Sequence, residues 1–135
     1  MRARRVAVVA LAALAPLAAG AGAMEECKGA GGREAVVKCL SDLDLRTLAA
    51  LKRAEAAAGK AARDAEASSK LPGAYAAFAS SSRAFALYQQ AQCDYVRARE
   101  PDANVLAKSP EPSRADLAQL ACRIDLARDR IELLK

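Results

Sequence analysis

The sequence predicts an all-α domain: a three-helix bundle, or a helical hairpin with an added N-terminal helix, stapled by two disulfides. Three observations carry this. Apolar residues recur at steps of three and four along three separate stretches, and no stretch shows the alternation of a strand. Four cysteines stand far apart in a chain without histidine. The chain also opens with an export-type leader, so those cysteines are expected to meet an oxidising space.

The leader reads Met-Arg-Ala-Arg-Arg, then an apolar run from Val6 to Ala19, then the small residues Ala21-Gly22-Ala23. Positive, apolar and small in that order is a signal peptide, with cleavage expected after Ala23. The run is broken by Pro16 and is too short for the roughly 20 residues a spanning helix needs. Residues 1–23 are therefore expected to be removed, leaving residues 24–135 as one small domain, periplasmic or secreted, with no stable membrane anchor.

The next segment, Met24 to Lys38, is expected to begin irregularly because Gly29, Gly31 and Gly32 resist helix. Ser41 and Asp44 have capping-box spacing and predict a helix from there to about Ser68. Leu45, Leu48, Leu51, Ala58 and Ala62 are its expected buried positions, and Gly59 weakens its middle. Ser68-Ser69-Lys70-Leu71-Pro72-Gly73 is a turn. A second helix is expected from Ala74 to Arg99, with Tyr75, Phe78, Ser82, Phe85, Gln89, Cys93 and Val96 on one face. A proline-rich loop, Glu100 to Pro112, leads to a second capping box, Ser113 with Asp116, and a helix to about Leu134. Its stripe is Leu117, Leu120, Ile124, Ala127, Ile131 and Leu134, with Cys122, Leu126 and Leu133 off that line.

Composition excludes some function classes. The chain of 135 residues has a net charge of +5, but Arg2, Arg4 and Arg5 leave with the leader, so the mature value is +2. The remaining charges alternate in sign, as in Lys52-Arg53-Ala54-Glu55. That is the pattern of a solvated helix face, and nucleic acid is not expected as a partner. Alanine supplies much of the 53% apolar content and buries little area per residue, so covalent staples matter.

Four cysteines allow three pairings. Proximity in sequence favours Cys27 with Cys39, leaving Cys93 with Cys122. An antiparallel hairpin of the last two helices would bring that second pair to similar heights. The spacing contains no close ligand pair and histidine is absent, so neither zinc nor any other metal or cofactor is expected.

Two segments resemble the LprI-like lysozyme inhibitor family, small exported helical domains with recurring cysteines. The first is Phe85-Ala-Leu-Tyr88-Gln89-Gln90-Ala-Gln-Cys93. Tyr88 and Cys93 match the family, while Phe85 stands in its tryptophan place and Gln89 in its arginine place. The second is Cys122-Arg-Ile-Asp-Leu126-Ala127-Arg-Asp-Arg130-Ile131-Glu132-Leu133. Cys122, Leu126, Arg130 and Leu133 match, and Ala127 replaces threonine. Cys27 to Cys39 followed by Leu40-Ser41-Asp42-Leu43 is similar to the paired cysteines that open these domains. The resemblance implies a protein partner, a lysozyme, blocked by occlusion.

Catalysis is not expected. Histidine, the usual base, is absent. Asp42/Asp44, Asp125/Asp129 and Glu25/Glu26 are paired carboxylates without the two distinct environments that acid–base work needs. Tyr75, Phe78 and Phe85 read as core rather than a ligand strip, and Arg130 as structural, beside Tyr88, rather than partner-binding. Tyr95 and Arg97 stand off the core face as surface-contact candidates. Glu100, Asp102 and Asn104, in the loop before the last helix, are the acidic and polar candidates for entering a cationic enzyme cleft, against the plainer reading of a solvated connector. Two further readings stay open: a structural or envelope-associated helical protein without inhibitory activity, and a helical carrier of a small apolar ligand. Oligomeric state is open as well.

Overall fold

The computed structural model describes residues 22–103 and 111–135. The leader, apart from its last two residues, and Asn104 lie outside them. The described chain forms four helices: α1 (Ala23–Lys28), α2 (Arg33–Ala67), α3 (Ala74–Ala98) and α4 (Arg114–Leu133). No strand occurs among the described residues. The fold is all-α and stapled by Cys27–Cys39 and Cys93–Cys122, with Cα separations of 5.7 and 5.6 Å.

The N-terminal segment departs from expectation. Met24 to Lys28 belongs to α1, a short helix whose Ala23 and Cys27 are fully buried. Glu25 and Glu26 in its first turn and Lys28 in its last complement the helix dipole and favour it. The bond from Cys27 to Cys39 then supplies the tertiary fixing that so short a helix lacks by itself. Gly29 to Gly32 is the break, as its glycines require.

Helix α2 also starts eight residues before the expected Ser41, with Gly32 at its N-cap in an extended conformation. Ser41 and Asp44 therefore lie inside a helix rather than capping one. Packing overrides the local signal, because Leu40, Leu43, Thr47 and Leu51 recur at helical steps and are buried. The flanking polar groups find other uses. Lys38 donates to Asp42 one turn on at 2.7 Å, and Asp44 accepts from Arg123 of α4 at 3.2 Å. That phase turns Leu45 outward, 68% exposed, and Leu48 with it, so neither is the core residue expected.

Past its C-cap Ser68, the chain turns through Pro72 and Gly73. Gly73 has φ 77°, a left-handed geometry that glycine adopts at little cost. The expected face of α3 does pack inward, from Phe78 through Phe85 to the buried Cys93. Gln89 Nε2 donates to the Arg123 carbonyl of α4 at 2.9 Å.

Helix α4 carries the predicted capping box. Ser113 Oγ accepts from the Asp116 N–H at 3.0 Å, and Asp116 Oδ2 accepts from the Ser113 N–H at 2.9 Å. A residue from the preceding turn completes the cap: Asp102 accepts from the Arg114 and Ala115 amides at 2.9 and 3.0 Å. All four N-terminal amides that a helix leaves orphaned are thus satisfied. Leu117, Ile124 and Ala127 of the predicted stripe are buried.

The core lies where α1, the first half of α2 and the middle of α4 meet, around Ala23, Cys27, Leu40, Leu43, Ala121 and Ile124. Both disulfides sit at this end. Farther along, α4 closes near Glu55, which Arg130 faces. Beyond Glu55, α2 continues to Ala67 for about 18 Å and packs on the start of α3.

Candidate functional site

An open groove of about 660 Å³ lies between α1, the end of α3 and the start of α4. Met24, Val96, Ala118 and Ala121 give it an apolar floor, and the Cys122 sulfur side chain lies in its wall. Lys28, Glu100, Arg114 and Asp125 form a rim of mixed charge. Cys93–Cys122 ties its α3 and α4 walls to each other, and Cys27–Cys39 anchors its α1 wall to α2. Such a surface suits a protein segment with both apolar and charged side chains better than a uniform anion.

The predicted contact residues fall into distinct roles around this end. Tyr95 is 57% exposed, with the Arg99 guanidinium 5.7 Å from its ring centroid. Glu100 reaches the groove rim. Arg97 instead donates to Asp116 at 3.1 Å, tying the end of α3 to the start of α4. That Asp116 carboxyl is held below the ordinary carboxylate range, first by the Ser113 backbone N–H, then by the Ser113 hydroxyl and Arg97. Asp102 turns inward to cap α4, so both its oxygens are occupied.

The residues of the family-like segments also separate. Tyr88 and Leu133 are exposed, at 54% and 81%, whereas Leu126 is half-buried. Arg130 is buried. Its guanidinium lies 5.5 Å from the Phe85 ring centroid, and Nη1 and Nη2 donate to Ser81 and Ser82 Oγ at 2.9 and 3.2 Å. Its Nε stands 3.6 Å from Glu55 Oε1. Arg130 thus joins α2, α3 and α4 at one point.

Three residues that matter here gave no sequence signal. Asp125 accepts from the Ala23 N–H at 2.8 Å, and Met24 and Arg114 shape the groove. Each acts across a long sequence interval, which periodicity and cap spacing do not encode.

All four cysteines are bridged, so none is a thiol. Among the described residues no cluster of three or more cysteine or acidic side chains could hold a metal ion, and no helix is long and apolar enough to cross a membrane. No family model, curated protein or solved structure matches this chain.

Proposed function

We propose that this chain is an exported protein-binding module that inhibits a lysozyme by covering it, without chemistry of its own. The leader pattern and the two disulfides support an oxidising, extracytoplasmic location. The two segments that resemble LprI-like inhibitors support the choice of partner. The observation that carries the reading is the clamp at the end of α3. Cys93–Cys122 fixes this stretch on α4, so that the exposed Tyr95–Arg99 pair and Glu100 are presented beside an open groove. Side chains already held in place lose little freedom on binding, and tyrosine and arginine are the types that anchor protein interfaces.

The test is a peptidoglycan-lysis assay with several lysozyme types and the oxidised mature protein. Near-stoichiometric loss of lysis is expected with at least one type. A Y95A/R99A variant should weaken that inhibition by about tenfold or more, the effect of removing an interface anchor. Undiminished lysis with every type overturns the inhibitor reading and favours a structural role in the cell envelope.

A further inference from the structure

We propose that the leader is removed between Ala21 and Gly22, two residues before the Ala23–Met24 bond, and that Asp125 holds the new N-terminal ammonium. This rests on the export reading above. Ala23 is no part of a disposable tail: it is fully buried and packs in the core with Cys27 and Ile124. Its N–H donates to Asp125 Oδ1 at 2.8 Å. Gly22 is the N-cap of α1, and its carbonyl accepts from the Glu26 N–H at 3.0 Å.

A cut after Ala23 would remove the cap, that first helical bond and a buried core side chain together, and strand Asp125. A cut after Ala21 spares all of them. The sequence permits it, because Ala19-Gly20-Ala21 offers the same small-x-small pattern as Ala21-Gly22-Ala23.

The position of Asp125 adds an electrostatic reason. A Cβ built on Gly22 would lie 3.1 Å from Asp125 Oδ2, so the glycine backbone rests against the carboxylate. Hydrolysis by a signal peptidase places water's hydroxyl on the Ala21 carbonyl carbon and its proton on the Gly22 nitrogen. The new amine is largely protonated at neutral pH. A cation at a helix N-terminus opposes the dipole, and the facing carboxylate offsets this.

Full-length chain expressed with export in a bacterial host, followed by intact mass measurement and N-terminal sequencing, tests the cut. The expected mature chain begins at Gly22. A chain beginning at Met24, or at any other residue, overturns the proposal and leaves export intact. A retained leader overturns the export reading itself. On the correctly cut protein, D125N should lower the melting temperature by several degrees. An unchanged melting temperature removes Asp125 from the account.

Discussion

Gly59, in the middle of α2, lies so close to Phe78 of α3 that a Cβ on it would meet the ring's Cε1 at 2.9 Å. The glycine that local propensity marks as a weakness is where the Phe78 ring of α3 packs directly on the α2 backbone. In an exposed helix, G59A would gain about 1 kcal/mol. Here the ring must move, and overpacking of this kind costs about 1–3 kcal/mol. G59A is therefore expected to lower the urea midpoint. In an F78A background the same change should raise it. If G59A stabilises both backgrounds, the close approach has no energetic weight.

Arg130 is expected to be the most sensitive charged position. R130A leaves Glu55 facing a void and removes the donors to Ser81 and Ser82. Losing one partner of a buried pair costs several kcal/mol, and the partial exposure of Glu55 reduces that to about 2 kcal/mol. R130K keeps the charge but not the fork, and should fall between R130A and the parent. A denaturation midpoint unchanged in R130A would refute this junction.

The cap of α4 makes a pH-dependent contribution. Asp116 has a folded-state pKa below its ordinary value, so the folded chain binds fewer protons than the unfolded one in the acid range. Its stabilisation is complete above the ordinary carboxylate value and is lost as pH falls through the lower folded value. D116A should cost about 1 kcal/mol near neutral pH, the usual worth of a cap. As pH falls through the lowered folded-state value the parent should lose this advantage and the two proteins should converge. Parallel curves across that range would count against it.

What the sequence makes legible is local. The Ser113–Asp116 box and the inward face of α3 from Phe78 onward follow from side-chain spacing within one helix and stand as read. Tyr75, expected on that face as core, is 37% exposed because it lies in the first turn of α3 at the end of the packed region. The pairing Cys93–Cys122 follows once those helices form a hairpin. Helix α2 was harder, since leucines line more than one of its sides and alanine fills the remainder. Which side faces inward depends on the position of α4, and that selects Leu40 and Leu43 over Leu45 and Leu48. Ser41 has the spacing of a cap but lies where the chain has no reason to stop. At the candidate site, the exposure of Tyr95 was readable from the helix phase. The inward turn of Asp102 was not, because its two acceptors serve amides on the far side of a loop.

The placement of both cross-links at one pole leaves the opposite pole, around the Ser68–Gly73 turn, held by noncovalent contacts alone. Opening the distal stretches of α2 and α3 requires no covalent bond to break and separates Phe78 from its seat on Gly59. The molecule therefore has a gradient of local unfolding free energy along its length. Its tip can fray and close again while the groove end keeps its shape.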